Sequence, residues 1–260
     1  MISKITLKKI EDYQQNPITQ RAIDRYQYDY NDICWDHNKK NLDSPIRKLM
    51  YRNILPFIRR SSGKNILEIG SGTSWLLAEI NKFNPQILHG IEPSKNNVKV
   101  SNLLFPSLKV FCKDFTSFKT KINYDNVYSL MTINHLWDIT SFFKKCAHMM
   151  RCEGTLLIII PNYDYFRKPR QGYNMDFVFF KKSYSININK DGNNLSQIVR
   201  KNDVYNKAAK LAGFSLVLEK NIIIDKKLIK DNAKFKKLFG TPMFCMIIYK
   251  KISGKINSIK

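Results

Sequence analysis

The stretch Leu67-Glu68-Ile69-Gly70-Ser71-Gly72-Thr73-Ser74 decides the fold of this 260-residue chain. Its first residues complete an apolar run of strand length at 65–69, and its last residues begin a segment with helical apolar spacing at 73–83. Glycines between a strand and a helix let the backbone approach a ligand and leave amide donors open at the helix N-terminus. The stretch therefore predicts a strand–turn–helix unit with a ligand-binding turn.

Strand and helix patterns alternate after this turn. Apolar runs predict strands, and amphipathic segments predict the helices between them. Such alternation is typical of a parallel sheet that is covered on both faces, so the sequence predicts a doubly wound α/β fold. The predicted strands are residues 87–91, 109–112, 125–133 and 155–160, and the predicted helices are residues 95–104 and 139–150.

Two regions depart from the alternation. Residues 1–43 are polar and aromatic, and we expect short helices or a flap there, followed by a helix that begins at Ser44-Pro45. Residues 162–202 are rich in aromatic and basic residues, and Asp191-Gly192 predicts a hairpin between strands at 177–189 and 195–200.

The C-terminal part of the sequence returns to helix and strand patterns. We expect Asp203 to cap a helix that runs through Leu211 and ends at Gly213. The last two strands are predicted at residues 214–224 and 243–250, with a basic helix at 226–239 between them.

The residues around the glycines distinguish two kinds of cofactor. A dinucleotide site requires a third glycine where this chain has Trp75, the bulkiest residue available. Glu68, two residues before the first glycine, also disfavours a pyrophosphate. A sulfonium cofactor is cationic, so a nearby carboxylate attracts it. The turn therefore favours a sulfonium nucleoside over NAD or FAD.

With Glu68, Gly70 and Gly72 in an E-x-G-x-G pattern, the sequence resembles the class I, Rossmann-like S-adenosylmethionine-dependent methyltransferases. Ser74 departs from this family, whose pattern continues to a further glycine. The resemblance covers roughly residues 45–250. It implies a seven-stranded, mostly parallel sheet whose last strand is antiparallel, with an N-terminal helical flap and an insertion after the fifth strand.

The resemblance also implies a single methyltransferase domain over residues 1–260. Within it we expect a helical cap at 1–62, a cofactor-binding half at 63–161 and a substrate-side insertion at 162–202. The closing helix and strands occupy 203–260.

The family resemblance implies which residues bind S-adenosylmethionine. Glu92 follows Gly72 by 20 residues, at the end of the second strand, where a carboxylate can accept both ribose hydroxyls. Asp114 and Phe115 end the third strand, where the family binds adenine. The expected cofactor-binding residues are Glu68, Gly70, Ser71, Gly72, Glu92, Pro93, Asp114, Phe115, Thr132 and Asn134.

The turn after the fourth strand is expected to face both cofactor and acceptor. His135 lies in it and is the candidate catalytic base, because an unperturbed histidine titrates near neutrality. We expect Tyr30, Trp35 and Tyr163 on the substrate side, since an aromatic-lined pocket suits a small planar or amphipathic acceptor. The same aromatic residues would also serve as core filling.

The net charge of +23 permits a polyanionic partner, either RNA or a membrane surface, but it also fits a lysine-rich composition without a function. The five cysteines have neither disulfide-framework nor zinc-site spacing, so we expect no metal and a cytoplasmic protein. No apolar run is long enough to span a bilayer.

The sequence thus predicts methyl transfer to an oxygen or nitrogen atom of a small molecule. Two alternatives stay open at this point. One is an RNA methyltransferase that uses the basic surface, and the other is an inactive protein with a methyltransferase fold that acts as a binding partner.

Overall fold

A computed structural model describes residues 5–9, 44–169, 174–190 and 193–252. These residues form eleven strands, which we number along the chain. The strands are β1 (Ile5–Lys9), β2 (Asn65–Ile69), β3 (Ile87–Glu92), β4 (Lys109–Cys112), β5 (Tyr124–Leu130), β6 (Met150–Pro161), β7 (Asn174–Phe179), β8 (Ser183–Lys190), β9 (Asn193–Arg200), β10 (Phe214–Ile223) and β11 (Pro242–Lys251).

The same ranges contain seven α-helices and two short 3₁₀ turns at Ile133–His135 and Ala233–Leu238. None of the helices in this part of the chain combines the length and the apolar character needed to cross a bilayer. The helices are α1 (Pro45–Ile58), α2 (Trp75–Asn81), α3 (Lys95–Leu104), α4 (Ile139–Met149), α5 (Tyr163–Phe166), α6 (Asn202–Leu211) and α7 (Lys226–Asp231).

Seven strands form the main sheet in the order β10-β11-β6-β5-β2-β3-β4. β11 pairs antiparallel with both of its neighbours, and the other contacts in the sheet are parallel. All five residues of β2 are buried, and residues 156–160 of β6 are buried between apolar clusters on the two faces. This confirms the predicted doubly wound sheet with its last strand antiparallel.

Left-handed backbone residues explain two boundaries that the sequence placed wrongly. The helix predicted from residue 73 begins at Trp75, because Gly72 and Ser74 adopt φ values of 53° and 64°. The strand predicted to reach residue 133 ends at Leu130, because Met131 has a φ of 56° and a 3₁₀ turn follows. Serine and methionine rarely adopt a positive φ, so the sequence gave no sign of these conformations at Ser74 and Met131.

A second, four-stranded sheet has the order β1-β7-β8-β9. The predicted hairpin is confirmed, since Lys190 pairs with Asn193 around residues 191–192. The single strand predicted at 177–189 is wrong, because the chain turns after Phe179 and β7 and β8 pair antiparallel. Helices were expected near the N-terminus, but Ile5–Lys9 is a strand parallel to β7. The rest of the expected flap, up to residue 43, lies outside the described residues.

The C-terminal region corrects two further predictions. Asp203 does not cap α6; it lies in the first helical turn, where it forms an ion pair with Lys182. The basic helix predicted at 226–239 is broken, because Asn232 is extended and its side chain accepts from the amide of Lys234. Gly213 ends α6 as expected, with a left-handed φ of 83°.

We expect Gly70→Ala to lower the free energy of unfolding more than Gly240→Ala does. Both glycines are left-handed, with φ values of 73° and 76°, so both substitutions incur a backbone strain of about 1–2 kcal/mol. A Cβ on Gly70 would lie 2.1 Å from Oγ1 of Thr132, whereas one on Gly240 meets nothing within 4 Å. The difference between the variants in urea denaturation should be about 1–3 kcal/mol. Equal losses would contradict this account of the turn.

Candidate functional site

A cavity of about 250 Å³ opens where the carboxyl ends of β2, β3, β4 and β5 meet. Parallel strands present their carboxyl ends at one edge, which is where open α/β sheets bind ligands. Ten of the residues expected from the sequence line this cavity: Glu68, Gly70, Ser71, Gly72, Glu92, Pro93, Asp114, Phe115, Thr132 and His135.

The glycine turn is held against the end of β3. The amides of Gly70 and Ser71 both donate to the carbonyl oxygen of Ile91, at 2.8 and 3.0 Å. The side chain of Thr132 occupies the space that a Cβ on Gly70 would need. Glycine at this position therefore lets the turn after β5 close onto the turn after β2, which brings two walls of the cavity together.

Ser74, which stands where the resembled family has glycine, is buried in the left-handed region. A non-glycine residue is strained there. Its Oγ accepts a hydrogen bond from Oγ of Ser101 at 2.6 Å, so the buried hydroxyl has a partner on α3. Serine at this position therefore keeps the left-handed conformation that glycine adopts more readily, and its hydroxyl is satisfied.

Glu92 is a buried carboxylate that connects the glycine turn to α3. Its side chain is 4% exposed and accepts from the amides of Gly72 (2.8 Å) and Ser94 (3.0 Å) and from Nδ2 of Asn97 (3.2 Å). Burial raises the pKa of this carboxyl, while the three hydrogen bonds oppose that shift. The carboxylate is therefore fixed in orientation at the wall of the cavity.

Glu68 is a second buried carboxyl in the cavity, with 2% of its surface exposed. Burial raises its pKa well above the ordinary value, and nearby Glu92 raises it further, while Arg47 opposes both effects. Its Oε2 has no hydrogen-bond partner among the described residues. A buried oxygen in this state favours a ligand that brings a hydrogen-bond donor or a positive charge.

Arg47 of α1 also lines the cavity, and the sequence gave no reason to expect it there. Its guanidinium lies 6.0 Å from the ring centre of Trp75, which lines the cavity as well. The helix that carries Arg47 was predicted. The position of that helix depends on contacts with α7 and β10, which are distant in sequence, so no local signal identified Arg47.

Asp114 and Phe115 form the wall beyond β4. Oδ1 of Asp114 accepts from the amide and the hydroxyl of Thr116, both at 2.6 Å, which leaves Oδ2 for a ligand. The rings of Phe115 and Phe142 pack with 5.2 Å between their centres. Nζ of Lys145 lies 5.2 Å from the ring centre of Phe115. The ring of Phe115 is therefore held by contacts with two side chains of α4.

His135 is held by the insertion strand β9. Its Nδ1 lies 3.0 Å from the carbonyl oxygen of Ser196, so Nδ1 carries the proton, and Nε2 accepts from Nδ2 of Asn134 at 3.2 Å. Burial lowers the pKa of His135 to about 4, although the Ser196 hydrogen bond opposes that shift. The imidazole is neutral near pH 7 and much less basic than the sequence argument assumed.

Two other expected site residues do not line the cavity. Asn134 is fully buried behind the cavity wall, where its Nδ2 donates to Oε1 of Gln197 at 2.9 Å. Tyr163 does not line the cavity; its ring packs edge-on against Tyr184 at 5.1 Å. Tyr30 and Trp35 lie outside the described residues.

Arg200 of β9 also fixes the turn after β5, and sequence reasoning missed it. The buried side chain donates from Nη2 to the carbonyl oxygens of Leu136 (2.7 Å) and Trp137 (3.0 Å). The insertion sheet thus positions the loop that carries His135 through side-chain contacts to main-chain carbonyls, a kind of contact that sequence patterns do not encode.

Curated relatives match only part of the chain. A ubiquinone biosynthesis O-methyltransferase of Bradyrhizobium diazoefficiens is 23% identical over 100 residues, which is 37% of this chain and 39% of the relative. A phosphoethanolamine N-methyltransferase of Plasmodium falciparum is 27% identical over 141 residues, half of each chain. The chain therefore spans about two fifths to one half of the length of these relatives.

Wider matches come from a solved structure and a family model. The crystal structure of an S-adenosylmethionine-dependent methyltransferase from Mesorhizobium loti superposes with a TM-score of 0.62 at 14% identity, covering 78% of this chain and 100% of that one. That likeness shows the Rossmann-like fold. A family model described as a methyltransferase domain matches residues 41–214, about two thirds of the sequence. The chain therefore belongs to the family that this methyltransferase-domain model defines.

Proposed function

We propose that the protein transfers the methyl group of S-adenosylmethionine to an oxygen or nitrogen atom of a small-molecule acceptor. The observation that carries the proposal is the buried carboxylate of Glu92, held by the amide of Gly72 at the wall of the cavity. A carboxylate fixed beside a glycine turn suits the hydroxyl groups of a ribose. A reducing, cytoplasmic compartment stays our expectation.

The residues of the cavity fit a cationic nucleoside. Glu92 would accept the ribose hydroxyls, and Oδ2 of Asp114 would accept from the adenine amino group beside Phe115. Glu68, whose Oε2 has no hydrogen-bond partner among the described residues, would accept from the ammonium group at the amino-acid end of the cofactor, and Arg47 would donate to its carboxylate. A pyrophosphate would instead meet two buried carboxyl groups, which disfavours NAD or FAD.

S-adenosylmethionine, when bound, supplies a methyl group on a positively charged sulfur. The protein's contribution is to hold an acceptor in line with that group and to exclude water. We assign the acceptor to the apolar part of the cavity lining, which includes Met50, Leu130, Met131 and Leu136. Such a wall is suited to a compact organic acceptor with few polar groups.

His135 stays the candidate base, in a narrower role. With a pKa of about 4, it would remove a proton efficiently only from an acidic acceptor. An amine with a lone pair, or an acceptor that is already ionised, needs no base. The contacts of His135 with Ser196 and Asn134 support a second role, in which the neutral ring shapes the acceptor wall.

The names of two relatives support a small acceptor. One acts in ubiquinone biosynthesis as an O-methyltransferase, and the other methylates phosphoethanolamine at nitrogen. We therefore expect label from S-[methyl-³H]adenosylmethionine, incubated with the protein and a cell extract, to appear in the small-molecule fraction. Label confined to RNA would contradict the proposal, and an absence of transfer in every fraction would favour the inactive alternative.

We expect Glu92→Gln to weaken binding of S-adenosylhomocysteine by about 10- to 100-fold in isothermal titration calorimetry. The amide would place a donor where Gly72 and Ser94 already donate, and it would remove the charge that favours ribose hydroxyls. The matched control is Glu79→Gln on α2, whose side chain pairs with Lys82. Unchanged affinity in Glu92→Gln would contradict the assignment of the ribose site.

We expect His135→Asn to reduce the acid sensitivity of the fold. The pKa of His135 is about 4 when folded and near 6.5 when unfolded, so between these values the unfolded chain binds more protons. The part of the folding stability that depends on neutral His135 is fully present above pH 6.5 and is lost as the pH falls towards 4. The native protein should therefore lose up to about 3 kcal/mol more stability than His135→Asn across this window.

Urea denaturation at a series of pH values measures this difference. Replacement of the exposed His148 at the end of α4 by Asn is the control, and it should follow the native profile. If the difference in the free energy of unfolding between the native protein and His135→Asn does not change with pH, the ring titrates normally and the prediction is wrong.

A further inference from the structure

The connection from β10 to β11, residues 224–241, carries a dense group of lysines. Asp225 and Asp231 are the only acidic residues in this segment. Six exposed lysines, which we call the lysine face, project from it: Lys226, Lys227, Lys230, Lys234, Lys236 and Lys237.

The segment is amphipathic although it is not one continuous helix. Leu228 is fully buried, and Ile229, Phe235 and Leu238 pack against the same apolar core. The lysines therefore lie on the outer side. Phe239, at the end of the 3₁₀ turn, keeps 56% of its surface exposed beside them. An exposed aromatic ring next to a lysine cluster is characteristic of surfaces that meet a lipid headgroup layer.

The charge of the lysine face is not neutralised within the described part of the chain. No lysine of the face forms a salt bridge there, although Lys227 lies near enough to Asp225 to help lower the pKa of that carboxyl. Asp225 itself is bound by Nη2 of Arg52, at 2.8 and 2.7 Å to its two oxygens. The face is therefore complementary to an extended anionic surface.

The lysine face lies at the same edge of the sheet as the cavity. β10 runs parallel to β6, because both pair antiparallel with β11, so the connection leaves the sheet at its carboxyl edge. The ion pair of Arg52 with Asp225 ties its beginning to α1. The same helix contributes Arg47 and Met50 to the cavity wall.

We infer that the lysine face docks the protein onto an anionic lipid bilayer, with Phe239 inserted among the headgroups. Lysines are compact point charges and suit a diffuse anionic surface, whereas phosphate recognition in RNA favours the arginine fork. Single-stranded nucleic acid also requires a row of aromatic rings for base stacking, and residues 224–241 expose one ring. The inference does not rest on the proposed function, since docking requires neither cofactor nor methyl transfer.

Co-sedimentation of the full chain with lipid vesicles tests the inference. The protein should sediment with vesicles of equimolar phosphatidylcholine and phosphatidylglycerol, but not with phosphatidylcholine alone. Each lysine near an anionic surface strengthens binding by about fivefold. The combined substitutions Lys230→Ala, Lys234→Ala and Lys237→Ala should therefore weaken partitioning on the order of 100-fold at low salt. Phe239→Ser should weaken it while leaving the charge unchanged.

The control variant has the same net charge as the triple lysine variant. It carries Lys64→Ala, Lys119→Ala and Lys121→Ala, exposed positions that precede β2 and β5 at the opposite edge of the sheet. It should bind vesicles like the native protein, and thermal melts of every variant should match the native curve. Equal weakening by the two triple variants would overturn the inference in favour of diffuse charge. Absence of vesicle binding, or binding to RNA alone, would also overturn it.

Discussion

The hydrogen bond from the amide of Gly72 to the buried carboxylate of Glu92 joins the two turns that form the candidate nucleoside site. The turn after β2 can take this position only because its glycines adopt left-handed conformations, and the turn after β3 is fixed by the same carboxylate through Ser94 and Asn97. One buried carboxylate thus connects the two turns at the wall of the cavity. Because Glu92 is buried, the contact is stronger than the same pair would be at the surface.

The opposite wall of the cavity depends on the insertion sheet. Gln197 and Arg200 of β9 bind Asn134 and the carbonyl oxygens of the loop after β5, and the carbonyl of Ser196 holds His135. The proposed nucleoside residues lie on or just after β2, β3 and β4, which belong to the main sheet, whereas the loop after β5 is held by strands of the second sheet. Under the proposed function, the acceptor specificity could therefore change through the insertion while the proposed cofactor residues stay the same.

Local patterns predicted the central sheet well. The bounds of β2, α3 and β4 agree with the sequence, because each is a compact apolar or amphipathic run with clear breakers at its ends. Prediction was wrong where a single backbone conformation decided the outcome, as at Ser74, Met131 and Asn232. Arg47 and Arg200 were missed for another reason, since their roles depend on contacts with residues distant in the sequence.

The hydrogen bond between Ser101 and Ser74 has an evolutionary consequence. Serine at position 74 bears the strain of a left-handed backbone, and the hydroxyl of Ser101 provides the partner that its buried oxygen needs. Substitutions at the two positions are therefore epistatic. A lineage that replaced Ser101 with an apolar residue first would leave an unsatisfied hydroxyl under the turn, whereas a lineage that first gained glycine at position 74 would free position 101 to vary.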